Sequence, residues 1–151
     1  FRLRIVGDAD AQNAAYLHDL RAKVAAYGLS GCVELVGGLA YDRVVGAYQQ
    51  ADVMLNVSST GSIDKAVLEA MACGLPVITA NEAFVPILSA WGDQLLLPAD
   101  APVEVLAQRI ESMMALTAEE RRALGLKLRK VVVEQHSLER LVENLLRVFS
   151  R

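Results

Sequence analysis

The stretch that decides the fold spans residues 51–79 and reads ADVMLNVSSTGSIDKAVLEAMACGLPVIT. An apolar run at 53–57 precedes a polar loop at 58–62, an apolar segment of helical length that stops at Gly74, and a second apolar run at 76–79. Short apolar runs bounded by turn residues are typical of buried strands, and a helix between two such strands makes a right-handed crossover. The stretch therefore predicts two parallel strands, at 53–57 and 76–79, and a helix at 63–73 that joins them.

The same alternation continues on both sides of this unit. The upstream sequence predicts strands at 2–6 and 33–36 and helices at 14–27 and 42–50, the second capped by Asp42. The downstream sequence predicts a strand at 95–97 and three helices, which begin at Pro102, at a Thr117 capping box and at Ser137. We therefore expect an α/β fold, a Rossmann-like doubly wound parallel sheet with helices on both faces, formed by one domain over residues 1–151.

Composition narrows the class of protein. The chain has 151 residues, 54% of them hydrophobic, and a net charge of −3, which offers no field for nucleic acid or an anionic membrane surface. A basic group near the end is interpreted as a solvated helix face: Arg121, Arg122, Lys127, Arg129 and Lys130. Cys32 and Cys73 match no metal or redox spacing and are expected to be buried, reduced thiols of a cytoplasmic protein. The chain begins inside a strand, at Phe1, which is typical of a fragment.

The loop at 58–62 is the strongest candidate for a binding site. Ligands of open parallel sheets bind beyond the carboxyl ends of the strands, which selects the loops at 7–13, 37–41, 58–64 and 80–85. At 58–62, Gly61 can take a positive φ, the following helix start favours an anion, and Lys65 adds a positive charge. The alternative is that Ser62 is simply the N-cap of an ordinary strand-to-helix turn, since no Gly-x-x-x-x-Gly-Lys pattern is present.

Glu69 favours the binding interpretation. It lies in an otherwise apolar helix, and a buried carboxylate destabilises a fold unless it is hydrogen-bonded or reaches a cleft. A partly exposed glutamate that extends past small neighbours is the alternative. Hydrogen bonds from the two hydroxyls of a ribose diol to the two carboxylate oxygens explain its position better.

The stretch at 51–79 resembles the signature region of the family 4 glycosyltransferases, a group 1 type of retaining enzyme with the GT-B fold. The resemblance includes Leu-Glu-Ala-Met-Ala-Cys-Gly-x-Pro-Val without a gap and extends over essentially the whole chain. It implies that this is the C-terminal, donor-binding domain. Residues are assigned by matching position: Glu69 to the nucleotide ribose, the amides of Ile63, Asp64 and Lys65 to the donor diphosphate, and Leu39 to the nucleobase. Gly7 matches the glycine that lets the donor approach the first loop.

Two departures from the family pattern concern the donor sugar. The family's first glutamate, which contacts that sugar, falls on Gly61, and Asp64 is a tentative replacement for it. The Gly-Gly-x-x-Glu loop after the fourth strand is replaced by residues 82–86, Glu-Ala-Phe-Val-Pro. The Ser-Thr-Gly-Ser-Ile-Asp-Lys version resembles a subgroup associated with bacterial surface polysaccharides.

The resemblance also sets expectations about catalysis and partners. Relatives neutralise the leaving diphosphate with an Arg and a Lys, placed before the point where this chain begins, so the catalytic residues stay unassigned. Neither His18 nor His136 is placed as a base. The implied donor is a UDP-, GDP- or ADP-sugar, with no metal and no other cofactor. The first strand of the domain and the acceptor domain would belong to the full-length protein, cytoplasmic or peripheral to the inner membrane, and the isolated chain is expected to be inactive.

Two other classes remain open. One is a non-catalytic nucleotide-sugar-binding or scaffold domain of the same fold, which Gly61 favours. The other is a receiver-type signalling domain, suggested by Thr79-Ala80 at a strand end. A receiver needs an acidic pair, an aspartate after its third strand and a Lys-Pro pair, and Asp52 precedes its strand instead.

Overall fold

The alternation of apolar runs and helical segments gives an α/β structure with parallel strands, as predicted. It was determined as a computed structural model that describes residues 1–10, 12–58 and 61–150. Contacts between residues divide the chain into two compact units, Phe1–Val44 and the residues from Val45 onward, and the division falls within helix α2 (Tyr41–Gln49). The expectation of one domain over 1–151 stays a prediction, and each unit is described by itself.

The first unit contains two parallel strands and a helix. Strand β1 (Leu3–Val6) and strand β2 (Val33–Gly37) pair with Leu3 opposite Val33, and helix α1 (Ala14–Ala26) connects them. The prediction that strands are buried on both faces is wrong for β1, because Ile5 is 36% exposed and Val6 46%. Two strands and one helix have too little apolar surface to enclose a strand completely. Helix α2 begins at Tyr41, so Asp42 lies in its first turn and is not its N-cap.

The second unit is built on the predicted strand–helix–strand unit. Strand β3 (Met54–Asn56) and strand β4 (Val77–Thr79) are parallel, with Met54 opposite Val77 and Asn56 opposite Thr79, and helix α3 (Lys65–Ala72) connects them. All three residues of β4 are buried. β3 is one residue shorter than predicted at each end, and β4 is one residue shorter at its start.

The predicted fifth strand at 95–97 is reduced to one parallel bridge, between Thr79 and Leu96. Two backbone hydrogen bonds form there, from Thr79 to Leu95 at 2.9 Å and from Leu97 to Thr79 at 2.8 Å. Pro98 follows directly and has no N–H to continue a ladder, which explains why pairing stops.

A run of short helices follows β4 where the sequence predicted only a loop. It comprises a 3₁₀ turn at Glu82–Phe84, helix α4 (Val85–Leu88) and a second 3₁₀ segment at Ser89–Gln94. Phe84 and Leu88 are fully buried, so tertiary packing stabilises segments that are too short to be detected by periodicity.

Three longer helices complete the second unit. They are α5 (Val103–Ala115), α6 (Ala118–Gln135) and α7 (Leu138–Phe149). The Thr117 capping box is confirmed, with Glu120 N–H donating to Thr117 Oγ1 at 3.2 Å, and Ser137 caps α7 as predicted. Pro102 is the N-cap residue of α5 and precedes its first turn.

The predicted solvated basic face is wrong for one of its members. Arg121 keeps only 15% of its side chain exposed and pairs with Asp52 at 3.2 Å. Arg129 also donates a hydrogen bond to the Ala72 carbonyl. Because the guanidinium groups tie α6 to neighbouring segments, this part of the face is structural. Cys32 and Cys73 are free thiols, as expected, but are partly rather than fully buried.

The buried core of the described chain lies in the second unit, around β4, α3 and α6. At the contact between α3 and α6, a β-carbon on Gly125 would lie 1.8 Å from the Gly74 carbonyl oxygen. The close approach of these two glycines lets the helices pack. The fully or nearly fully buried apolar side chains are Val67, Ala70, Met71, Val77, Ile78, Phe84, Leu88, Leu95, Met113 and Leu128.

Candidate functional site

The candidate site lies at the carboxyl ends of β3 and β4, where the chain passes from Asn56 to the start of α3. Residues 59 and 60 of the predicted loop lie outside the described residues. Helix α3 begins at Lys65, two residues later than predicted, and Asp64 is its N-cap residue with extended dihedral angles. Ser62 is therefore not the N-cap residue of α3, and the binding role of this turn stays a prediction.

The Asp64 side chain forms no capping hydrogen bond with α3. Its Oδ2 instead accepts hydrogen bonds from Ser58 Oγ at 2.5 Å, Asn56 Nδ2 at 2.9 Å and Asn81 Nδ2 at 3.1 Å. These hydrogen bonds, led by the one from Ser58, hold the pKa of Asp64 below its ordinary value. Because the carboxylate is engaged elsewhere, no side-chain oxygen of Asp64 occupies the first amides of the helix.

Asn81 is the buried centre of this polar network. It is fully buried, and its Nδ2 also donates to the Ser62 carbonyl at 2.8 Å, while its Oδ1 accepts from Ala83 N–H at 3.0 Å. Thr79, also fully buried, donates from Oγ1 to Asn56 Oδ1 at 2.8 Å. The network therefore fixes the loop before α3 to both strand ends and to the turn after β4.

The remaining predicted residues of the loop are open to solvent. Gly61 adopts a φ of 70°, as predicted, and Ser62, Ile63 and Lys65 are exposed. A helix start whose N-cap side chain forms no capping hydrogen bond, and which adjoins exposed small residues, can receive an anion through its amides and its dipole. The geometry is suitable for a phosphate group, although α3 is only two turns long.

Glu69 lies one turn into α3 and is held by two neighbours. The Tyr48 hydroxyl donates to Glu69 Oε2 at 3.3 Å, and Lys65 Nζ is 3.3 Å from Oε1. Burial, and then the charge and hydrogen bond of Glu69, raise the pKa of Tyr48 to about 12. Glu69 keeps 31% of its side chain exposed, so its carboxylate can still accept hydrogen bonds from a ligand.

The other two predicted residues belong to the first unit. Gly7 N–H donates to the Gly37 carbonyl at 3.0 Å, next to the Asp8 side chain, and a β-carbon on Gly38 would lie 2.8 Å from Asp8 Oδ2. Leu39 is partly buried in the loop after β2. Their roles toward a donor stay predictions.

Sequence reasoning missed Tyr48, Asn56 and Asn81. They lie 21, 8 and 17 positions from the carboxylates that they contact, so no local pattern indicated them. His18 is exposed on α1 and His136 ends α6, as expected. Across residues 1–10, 12–58 and 61–150, no group of His, Cys, Asp and Glu side chains could hold a metal ion.

A groove of about 430 Å³ lies on the other side of the second unit, at the amino end of β4. Pro76 and Gly74 line it together with Asp52 and Arg121, which pair with each other. Because Asp52 and Arg121 already pair with each other, the exposed residues at the carboxyl ends of the strands are the better candidate site.

These features define a Rossmann-like α/β fold whose candidate site lies at the carboxyl ends of parallel strands. The sequence model of the family described as "Glycosyl transferases group 1" matches residues 1–115, and the chain belongs to that family. No helix in the described parts of the chain has the length and apolar character needed to cross a membrane.

Two curated relatives illustrate the family. A D-inositol 3-phosphate glycosyltransferase of Corynebacterium jeikeium is 30% identical over 93 residues, which are 62% of this chain and 22% of the relative. WcaL of Escherichia coli, named as a colanic acid biosynthesis glycosyltransferase, is 30% identical over 126 residues, 80% of this chain and 30% of the relative. The chain thus spans less than a third of these relatives.

Solved structures agree on the fold, that of a GT-B glycosyltransferase half. Sucrose-phosphate synthase from Thermosynechococcus elongatus superposes with a TM-score of 0.84 at 25% identity, over 99% of this chain and 38% of that one. The catalytic domain of the cholesterol-α-glucosyltransferase from Helicobacter pylori gives a TM-score of 0.64 at 15% identity, over 89% of this chain and 98% of that one.

Proposed function

We propose that this chain binds the nucleotide-diphosphate sugar of a retaining glycosyltransferase. The observation that carries the proposal is the start of α3, where the N-cap residue Asp64 forms no capping hydrogen bond, with Glu69 one turn further along. Family membership supports glycosyl transfer as the reaction of the full-length protein.

In the proposed complex, the amides of Ile63, Asp64 and Lys65 receive the donor diphosphate, and the Lys65 ammonium adds to the attraction. Glu69 accepts hydrogen bonds from the ribose hydroxyls, since an ionised carboxylate offers two acceptor oxygens to the two hydroxyls of a diol. Gly7 is proposed to let the donor approach the first loop, and Leu39 to lie against the nucleobase.

The chemistry is electrostatic. The bond between the anomeric carbon and the diphosphate oxygen breaks, and the diphosphate leaves with its electron pair. An acceptor hydroxyl forms the new bond to the anomeric carbon and loses its proton to the departing diphosphate. N–H groups already aimed at the diphosphate stabilise its growing negative charge. An acceptor-binding part of the full-length protein would complete the enzyme, and we propose a role in polysaccharide or glycoconjugate synthesis at or near the cytoplasmic side of a membrane. The isolated chain is expected to transfer no sugar.

Calorimetric titration with UDP, GDP and ADP and with their glucose or mannose conjugates tests the proposal. At least one nucleoside diphosphate should bind, and Glu69→Gln should weaken it about 10-fold or more, because a charge-assisted hydrogen bond contributes roughly 1.5–3 kcal/mol. Glu111→Gln, a change at an exposed glutamate on α5, is the matched control and should bind like the wild type. Absence of binding by all of these nucleotides would refute the proposal.

A non-catalytic nucleotide-sugar-binding domain is the second candidate, and Gly61 favours it because glycine offers no side chain to the sugar. Turnover by the full-length protein separates the two candidates. Donor binding without sugar transfer to any acceptor would support the non-catalytic role.

A further inference from the structure

We propose that Glu82 supplies the carboxylate that contacts the glycosyl unit of the donor. The inference rests on the proposed nucleotide-sugar site and names a residue for its sugar end. Glu82 opens the 3₁₀ turn that follows β4, a segment for which the sequence predicted only a loop.

The first observation is the position of the Glu82 carboxylate relative to the loop before α3. A β-carbon on Gly61 would lie 3.5 Å from Glu82 Oε1. The space beside Gly61, which a side chain at that position would enter, is therefore adjacent to a carboxylate from another part of the chain. A glycine at 61 leaves room for it.

The second observation is the rigid attachment of the Glu82 backbone. Asn81, immediately before it, is fully buried and bonded to Ser62 and Asp64, which belong to the loop before α3. Phe84, two residues later, is fully buried, and its N–H donates to the Asn81 carbonyl at 3.0 Å. Glu82 is thus an exposed residue between two buried ones, and the turn carries it at a fixed place beside the site.

The third observation is the difference between Glu82 and Asp64. Asp64 Oδ2 already accepts three hydrogen bonds from side chains that belong to the protein. The structure shows no hydrogen bond or ion pair for the Glu82 carboxylate among the described residues. Asp64 therefore acts as a positioning residue for the loop. The carboxylate oxygens of Glu82 can accept hydrogen bonds from a ligand.

The chemistry of the ligand follows from these positions. In a nucleotide sugar the glycosyl unit is attached to the diphosphate, so a diphosphate at the start of α3 brings sugar hydroxyls close to the adjoining loop. A carboxylate accepts hydrogen bonds from hydroxyl groups and repels phosphate. Glu82 thus favours a donor that carries a polyhydroxylated sugar over the free nucleoside diphosphate.

The test measures two affinities for each variant, that of a nucleoside diphosphate and that of its hexose conjugate, for the base that binds best to the wild type. Glu82→Gln should weaken the conjugate about 10-fold while leaving the nucleoside diphosphate unchanged or slightly tighter, because a negative charge near the phosphates is removed. Glu82→Ala should likewise weaken the conjugate and leave the nucleoside diphosphate unchanged or slightly tighter. Glu111→Gln is the matched control, and thermal unfolding verifies that all variants are folded.

The outcomes separate this inference from the function on which it rests. Equal changes for both ligands, or no change for the conjugate, would overturn the role of Glu82 while leaving nucleotide binding intact. Failure of the wild-type protein to bind any nucleoside diphosphate would overturn the proposed function itself.

Discussion

The hydroxyl of Tyr48, near the end of α2, lies 3.3 Å from Oε2 of Glu69 on α3. Lys65 Nζ approaches the other carboxylate oxygen, so Glu69 is oriented from two sides before any ligand arrives. A carboxylate that is already oriented loses less conformational entropy when it binds two hydroxyls. This arrangement makes Tyr48 a positioning residue for the proposed ribose contact.

Tyr48→Phe should therefore weaken a ribonucleoside diphosphate by about 3- to 10-fold, the range expected for one hydrogen bond of about 1 kcal/mol. A 2′,3′-dideoxy nucleoside diphosphate, which lacks the hydroxyls, should bind both proteins equally. Isothermal titration of the four combinations measures this coupling. If the dideoxy ligand is weakened as much as the ribose form, Tyr48 acts on the fold and not on Glu69.

Asp64 should make the protein more sensitive to acid. Its pKa is lowered in the folded chain by hydrogen bonds from Ser58, Asn56 and Asn81, so the unfolded chain binds a proton at higher pH than the folded one. The stabilisation is present above the unfolded pKa of about 4 and is lost as the pH falls through the lower folded value. Asp64→Asn should be less stable at neutral pH and should lose less stability on acidification.

Urea unfolding of both proteins at several pH values between about 7 and 3 checks this expectation. If the free energy of unfolding falls equally in both proteins as the pH is lowered, Asp64 does not contribute to the pH dependence. A carboxyl NMR titration reports the direction of the Asp64 pKa independently.

The close contact between α3 and α6 predicts a large effect of a single methyl group. Gly125→Ala would place a β-carbon 1.8 Å from the Gly74 carbonyl oxygen, a backbone atom that cannot rotate away. The helices would have to separate, at a cost of about 1–3 kcal/mol or more. A fall of several degrees in the melting temperature is expected.

Gly46→Ala is the matched control for this substitution. Gly46 also lies within a helix, α2, but a β-carbon there would meet no atom within 4 Å. Alanine at that position should stabilise the protein by about 0.5–1 kcal/mol through helix propensity alone. Similar melting temperatures for the two variants would contradict the packing explanation.

The sequence predicted those features that depend on neighbouring residues. The order of elements up to β4, the Thr117 capping box and the positive φ of Gly61 follow from local patterns and are confirmed. The choice of the loop before α3 as the candidate site also follows from the sequence, because ligands of open parallel sheets bind beyond the carboxyl ends of the strands.

The contacts that organise the site could not be predicted in this way. Asn81 meets Asp64 across 17 positions and Tyr48 meets Glu69 across 21, and the pairing depends on how the strands and helices pack. The start of α3 was placed too early because Ser62 and Asp64 are both good capping residues, and only the network shows which one lies at the cap. The position of Glu82 beside Gly61 depends on a 3₁₀ turn that is too short for any periodic signal.

The hydrogen bond between Thr79 and Asn56 has a consequence for how the two strands pair during folding. These residues are directly opposite in the parallel pair of β3 and β4, and their side chains are joined at 2.8 Å. A slip of one residue would turn the Thr79 side chain to the other face and separate the pair. A chain with mispaired strands therefore lacks the loop geometry of the proposed nucleotide site. Because a ligand stabilises only the form that it binds, a nucleotide that occupies the proposed site would increase the fraction of correctly paired molecules during refolding.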